Sequence, residues 1–251
     1  MSSLIQWPRA QYWDKPWNPI TGCKPCSPAC DNCYARELFT SRFHRSFTPT
    51  QTNKVNPPTK GVVFCGNATD LFGDWLDKWD TMAYIAKCAL RWQGTQYLWC
   101  TKRVRNMTKI LQCFSEQDLD NPKRGFSNHY FGFTAENQEW FAKRGDIIMK
   151  HLPAWANLWV SMEPLLGPIE APIVGLSPLP KWIAVGCESG PNRRPCKLEW
   201  IESIVEQCRS FNIPVFVKQL DINGKCERDI TKFPAHLQIR QVPWATEEGT
   251  K

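Results

Sequence analysis

Four cysteines stand within eleven residues in the run Trp17-Asn18-Pro19-Ile20-Thr21-Gly22-Cys23-Lys24-Pro25-Cys26-Ser27-Pro28-Ala29-Cys30-Asp31-Asn32-Cys33-Tyr34. Thiols packed this densely are usually ligands. Three thiolates on one short loop can hold three irons of a cubic iron–sulfur cluster and leave the fourth iron open to an external ligand. Two triads can be drawn. Cys26, Cys30 and Cys33 are spaced C-x3-C-x2-C, whereas Cys23, Cys30 and Cys33 give C-x6-C-x2-C. Zinc and purely structural thiols are the rival readings. A closed zinc site of four thiolates normally takes them as two well-separated pairs, so four ligands on one eleven-residue loop would be cramped.

Such a loop needs a scaffold, and from Gly61 onward short apolar runs alternate with longer helical patterns. This is the mark of a parallel sheet built from βα units. Strands are expected at 62–65, 97–100, 130–133, 158–162, 182–185 and 215–217, and helices at 79–91, 104–114, 137–150 and 199–211. A further helix is expected at 35–43 and a short strand near 17–20, where Pro19 confines it to an edge or an irregular start. Residues 165–180 hold four prolines and two glycines and read as a loop. The expected fold class is α/β, a single partial (β/α) barrel, TIM-like, carrying the cysteine loop near its N-terminus. One domain spans 1–251, with 1–16 an N-terminal extension and 221–251 a polar tail.

Barrels of this kind carry chemistry on the loops after their strands. Polar residues recur at those positions: Asn67, Thr69 and Asp70; Thr101 and Lys102; Thr134, Glu136 and Asn137; Glu163; Glu188 and Ser189; Lys218 and Gln219. Six polar strand ends in register imply one pocket facing the cysteine loop. Individual members also have structural readings. Asp70 and Asn137 suit helix N-caps, and Glu188 suits a sharp turn with Gly190-Pro191.

The chain has 251 residues and twelve cysteines, and Met1-Ser2-Ser3-Leu4 lacks the features of a secretory signal, which points to a reducing, cytoplasmic setting. Cys65, Cys88, Cys100, Cys113, Cys187 and Cys208 lie in apolar segments and read as small buried hydrophobes. Cys196 and Cys226 receive no role. No run of about 18 apolar residues offers a membrane span. A net charge of +7 and thirteen tryptophans suit an acidic partner with bases to stack, DNA, RNA or a nucleotide. The plainer reading is a solvated basic surface with tryptophans in the core.

With those residues in view, the chain resembles a phage and prophage family known as the three-Cys-motif proteins, a domain of unknown function similar to radical S-adenosylmethionine enzymes. The resemblance runs from Trp17 to Gln219. It rests on Trp17 to Cys23, Cys30-Asp31-Asn32-Cys33-Tyr34-Ala35, Thr69-Asp70-Leu71-Phe72, Thr101-Lys102-Arg103, Glu136-Asn137-Gln138, Ser161 to Pro168, Glu188-Ser189-Gly190-Pro191 and Lys218-Gln219. It implies a 4Fe–4S cluster on Cys23, Cys30 and Cys33, with Cys26 the alternative third ligand. It also implies an electron donor of the flavodoxin or ferredoxin kind. The bound cofactor would be S-adenosyl-L-methionine, whose reductive cleavage yields a 5′-deoxyadenosyl radical. By this analogy Asn67, Thr69 and Asp70 bind its methionine end, Thr134, Glu136 and Asn137 its ribose, and Ser161 also contacts the cofactor. Glu163, Glu188 and Lys218 are left as catalytic groups facing the substrate, with Arg194 beside them. The expected substrate is a nucleic-acid base or nucleotide, modified or repaired, with Lys102, Arg103, Arg105, Arg193 and Arg194 as phosphate contacts. The alternatives are a zinc-bearing TIM-like barrel such as a base-exchange transglycosylase, and a non-catalytic, metal-stabilised nucleic-acid-binding protein.

Overall fold

The computed structural model describes residues 5–54, 56–89, 95–116, 126–170 and 173–244. In chain order the elements are β1 (Ile5–Gln6), β2 (Lys15–Trp17), β3 (Ile20–Thr21), α1 (Tyr34–Glu37), β4 (Thr50–Gln51), β5 (Gly61–Cys65), α2 (Lys78–Ala89), β6 (Thr95–Thr101), α3 (Val104–Glu116) and β7 (His129–Thr134), followed by α4 (Gln138–His151), β8 (Asn157–Met162), β9 (Trp182–Gly186), α5 (Leu198–Ser210), β10 (Val215–Ile222), β11 (Lys225–Glu227) and β12 (Gln241–Val242). The fold is mixed α/β and forms two compact units. The first holds residues 13–133 and 146–157; the second holds the residues up to Tyr12, 134–145 and those from Leu158 on.

In the first unit the strands run in the order β2, β5, β6, β7, all parallel. Val62-Val63-Phe64-Cys65 and Tyr97-Leu98-Trp99-Cys100 are nearly continuous apolar runs, as strands covered on both faces require. Trp17, Trp99 and Phe131 are all but sealed from solvent. The Trp99 indole N–H donates to His129 Nδ1 at 3.1 Å. His129 is wholly buried, and burial pushes its imidazole down to about 3, which keeps it neutral. Helix α3 turns Val104, Met107, Leu111 and Phe114 inward on one stripe, the spacing of an amphipathic helix.

The second unit orders its strands β8, β9, β10, β11, parallel except for β11, which folds back antiparallel on β10. Strand β1 pairs antiparallel with β12, and Trp7 N–H reaches Arg240 O at 2.7 Å. An aromatic cluster fills the core: Tyr12 stands edge-on to Trp182 at 4.9 Å, and Trp159 stacks on Trp182 at 5.1 Å. Helix α5 buries Ile201, Ile204, Val205 and Cys208.

The expected strands and helices lie within a few residues of those observed, with three differences that have physical causes. Residues 17–20 are not one strand. Asn18-Pro19 interrupts it, so β2 joins β5 while β3 pairs with β4. The helix expected at 35–43 is one α turn followed by a π turn at Leu38–Arg42, where Phe43 N–H reaches back five residues to Leu38 O at 3.1 Å. The polar tail is ordered at its start, because β10 runs on to Ile222 and β11 pairs with it. The helix expected to reach Arg91 ends at Ala89 among the described residues, since 90–94 lie outside them. Trp17, Trp99, Trp159 and Trp182 are core residues and offer no stacking surface for bases. Among the described residues no helix is long and apolar enough to cross a membrane.

Candidate functional site

The cysteine loop lies in the first unit and is tied down at its start. Gly22 N–H donates to Ala68 O at 3.0 Å and Cys23 N–H to Phe47 O at 3.1 Å. The Thr69 hydroxyl donates to Gly22 O at 2.6 Å. Gly22 has φ +88, and a Cβ there would sit 2.1 Å from Thr48 O, so the position requires glycine. A 3-10 turn at Pro28–Cys30 opens on proline, where no N–H is needed, and α1 begins directly after Cys33. Cys30 is buried, while Cys23, Cys26 and Cys33 are half-buried.

Arg103 fixes the loop from the other side. Its guanidinium donates to Lys24 O at 2.8 Å, faces Asp70 at 3.3 Å and Asp74 at 3.4 Å, and lies 4.6 Å over the Trp75 ring. Asp70 is a hub. It accepts from Phe72 N–H at 3.0 Å, the Thr101 hydroxyl at 2.7 Å, Lys102 N–H at 3.2 Å and Arg103. These donors occupy both carboxylate oxygens, so Asp70 positions Arg103 and through it the cysteine loop. Asn67 also braces the loop's surroundings, accepting from Asn18 Nδ2 at 2.7 Å and, at its carbonyl, from the Tyr34 hydroxyl. A cavity of about 280 Å³ lies beside α1, lined by Asn18, Thr21, Tyr34, Phe39, Thr52 and Asn67 among others.

The thiols of the loop are electrostatically unlike. A hydrogen bond from Cys26 lowers Cys30 to about 4, with Lys102 helping, and the same bond pushes Cys26 up. Burial pushes Cys23 up to about 11, with the Asp70 carboxylate adding to it. Among the described residues, no three His, Cys, Asp or Glu side chains converge as ligands of one metal ion.

The remaining sequence-derived site residues lie in the second unit. Glu136 is fully buried and pairs with Arg144 at 2.5 Å, while Arg144 also donates to Thr134 O at 2.7 Å. Among the described residues Glu136 Oε1, two guanidinium nitrogens of Arg144 and Glu163 Oε1 find no hydrogen-bond partner. Asn137 caps α4, accepting from Trp140 N–H at 3.1 Å. Ser161 is buried, and its carbonyl takes Ala135 N–H at 2.8 Å. Glu163 and Lys218 meet at 2.5 Å, with the ammonium 5.4 Å over the Tyr12 ring. Glu188 is nearly sealed and is gripped by Arg194 through backbone N–H at 2.8 Å, Nε at 2.9 Å and Nη2. Gln219 donates to Cys187 O at 2.6 Å and accepts from Arg228 at 3.0 Å.

Two pairs expected to face a common substrate are thus brought together, Glu163 with Lys218 and Glu188 with Arg194. Arg193 is held by Asp221 at 3.1 Å, so neither Arg193 nor Arg194 projects a free guanidinium toward phosphate. Sequence reasoning missed Tyr12 as the aromatic partner of Lys218, and it missed that Asp221 faces Cys226 across the ladder and accepts Cys196 N–H. No local spacing signals either.

The molecule is therefore a mixed α/β protein with a braced four-cysteine loop and a buried set of carboxylate–cation pairs. It belongs to the family described as Protein of unknown function (DUF5131), whose model matches residues 8–233. No curated protein and no solved structure matches it.

Proposed function

We propose that the protein is a radical S-adenosylmethionine enzyme, built as a partial (β/α) barrel and active in the cytoplasm on a nucleic-acid base or nucleotide. Cys30 and Cys33 would hold a 4Fe–4S cluster, with Cys23 or Cys26 as third ligand. The observation that carries the reading is the braced loop itself: four thiols on one short segment, its backbone fixed at Gly22, Cys23 and Lys24. A mononuclear zinc site needs its ligands gathered on a single point, whereas each thiolate of a cubic cluster binds a different iron. Thiols spread along one loop suit the second arrangement.

When bound, the cluster supplies the electron that cleaves the sulfonium of S-adenosylmethionine. The chain's own residues have other tasks. Arg103 balances thiolate charge and keeps Lys24 in place. Glu163 and Lys218, close together and partly open to solvent, can hold or move a proton at a substrate atom. The cavity beside Tyr34 offers aromatic and amide groups to a ring such as an adenine or a substrate base.

The test is anaerobic purification and reconstitution, then addition of S-adenosylmethionine and dithionite. The expected result is a brown protein that releases 5′-deoxyadenosine, with iron lost in Cys30→Ser and Cys33→Ser. Replacing Cys23 and Cys26 one at a time decides the third ligand. Full iron retention in Cys30→Ser, or a colourless protein with stoichiometric zinc, overturns the reading.

A further inference from the structure

The segment between the cysteine loop and β5 carries positive charge that the fold does not consume. Residues 34–60 hold Arg36, Arg42, Arg45, Lys54 and Lys60 against one carboxylate, Glu37. Arg42, Arg45 and Lys54 are exposed, and Arg36 is half-buried. Among the described residues no carboxylate forms an ion pair with any of these cations. The arginines expected to meet phosphate are placed differently: Arg103 faces Asp70 and Asp74, Arg193 faces Asp221, and Arg194 is gripped by Glu188. Cations held by no carboxylate keep their charge for an external anion.

Exposed rings stand among them. Tyr34 and Phe43 are 51% and 49% exposed. The Tyr34 hydroxyl donates to Asn67 O, which fixes the ring without covering it. Phe43 stands edge-on to Phe39 at 6.0 Å, and Phe39 stands edge-on to the buried Phe47 at 5.4 Å. The π turn at Leu38–Arg42 carries this row, and such turns are frequent at functional sites. Arg45 N–H returns to Phe39 O at 2.8 Å, so the backbone of Arg45 lies beside Phe39. Tyr34, Phe39 and Lys54 all line the cavity of about 280 Å³. Rings left open beside unpaired cations are the two elements that single-stranded nucleic acid binds, bases stacking on the first and phosphates meeting the second.

We infer that the face built from residues 34–45 and Lys54 binds single-stranded nucleic acid. Bases stack on Phe43 and Tyr34, the cavity beside Phe39 takes one base, and the phosphates pass Arg36, Arg42, Arg45 and Lys54. A duplex keeps its base faces against one another and offers the rings nothing to stack on. A free nucleotide brings too few phosphates for four cations spread from 36 to 54. Ribose and deoxyribose strands share the required chemistry. Tyr34 follows Cys33 directly, so a base on its ring is delivered beside the cysteine loop. The inference rests on the nucleic-acid substrate of the proposed function, which it narrows to a single-stranded polymer, and it does not depend on the cluster.

The test is fluorescence anisotropy of labelled oligothymidylate and oligouridylate with the full chain, prepared with and without iron, over a salt series starting at about 50 mM. Both strands should bind. The logarithm of the affinity should fall against the logarithm of salt with a slope of about −3, from four contacts at about 0.7 each. Arg36→Ala, Arg42→Ala and Arg45→Ala combined should flatten the slope to about −1. Phe43→Ala should weaken binding roughly 5- to 150-fold at every salt concentration, whereas Phe43→Trp should retain it. Arg42, Arg45 and Phe43 are exposed, so thermal unfolding of the variants should match that of the unaltered chain. No binding at about 50 mM salt, where such contacts are strong, overturns the inference. So does a duplex bound as tightly as the single strands, a full set of variants that bind like the unaltered chain, or capture by vesicles containing phosphatidylserine in place of the oligonucleotides. Because the iron-free chain is measured as well, failure of the cluster leaves the binding result standing. A chain that releases 5′-deoxyadenosine yet binds no oligonucleotide removes the polymer alone.

Discussion

Two carboxylate–cation pairs of the second unit have the same oxygen–nitrogen separation and opposite surroundings. Glu136–Arg144 and Glu163–Lys218 both close at 2.5 Å. In the first pair the side chains are 0% and 3% exposed, and in the second 11% and 20%. Arg144 is further enclosed by the Trp140 ring, 4.4 Å from its guanidinium carbon. Separation alone therefore does not mark a reactive pair. Removing one partner of a sealed pair strands the other's charge in a low dielectric, whereas in the second pair water reaches Lys218, although Glu163 Oε1 is itself buried. Glu136 belongs to the scaffold by this criterion, whereas Lys218 gives the second pair a side open to solvent.

The largest expected effect follows directly. Arg144→Met should destabilise the protein by about 3–5 kcal/mol, because Glu136 is left buried without its cation. Urea denaturation should show this, and Glu136→Leu added to Arg144→Met should recover most of the loss. If the single variant costs no more than an exposed pair does, the contrast between the two pairs fails.

Asp70–Arg103 is the intermediate case, at 9% and 11% exposure. Asp70→Ala removes several hydrogen bonds together and should cost about 2–3 kcal/mol. It should also free the Lys24 segment, seen as faster hydrogen exchange at the Cys23 and Lys24 amides. Unchanged exchange there would mean that Arg103 holds the loop without help from Asp70.

The loop thiols carry the comparison into pH. Cys23 is raised to about 11 by burial and by Asp70, while the bond from Cys26 lowers Cys30. Ligand thiols must be deprotonated, so iron binding through Cys23 displaces a proton and strengthens as pH rises. Apparent affinity should grow by up to roughly tenfold per pH unit for each proton displaced below its pKa. Iron uptake at pH 7 and pH 8.5, with proton release followed in weak buffer, measures it. A flat profile would show that Cys23 gives up no proton on binding, against its raised position.

The smallest effect belongs to the open pair. Glu163→Gln keeps the side-chain shape and leaves only Lys218, the wetter member of the pair, so it should change stability by about 1 kcal/mol. A loss comparable with that of Arg144→Met would place Glu163 among the structural carboxylates after all.

Much of the fold was legible because the parallel strands are buried on both faces and read as unbroken apolar runs, Val62 to Cys65 and Trp182 to Val185 among them. The end of β10 was harder. Lys218-Gln219-Leu220-Asp221-Ile222 alternates in polarity and reads as a strand exit, yet β11 folds back on it and satisfies its backbone. The cysteine loop was visible because its thiols are neighbours along the chain. Asp221 faces Cys226 only across the ladder, and Tyr12 meets Lys218 only through tertiary packing, so no spacing rule finds them. Polar strand ends were recognised as a group, but their individual tasks were not. Whether a carboxylate such as Glu136 faces a ligand or an internal arginine depends on what packs above it.

Gly22 bears on how far the cysteine run can be moved to other proteins. The residue touches the 47–48 and 68–69 segments at once and leaves no room for a side chain against Thr48. The run is therefore no portable cassette. Grafted onto another scaffold as residues 22–34 alone, it would leave behind the Ala68 and Phe47 carbonyls and the Thr69 hydroxyl that set its entry angle. A library randomised at position 22 should return glycine only.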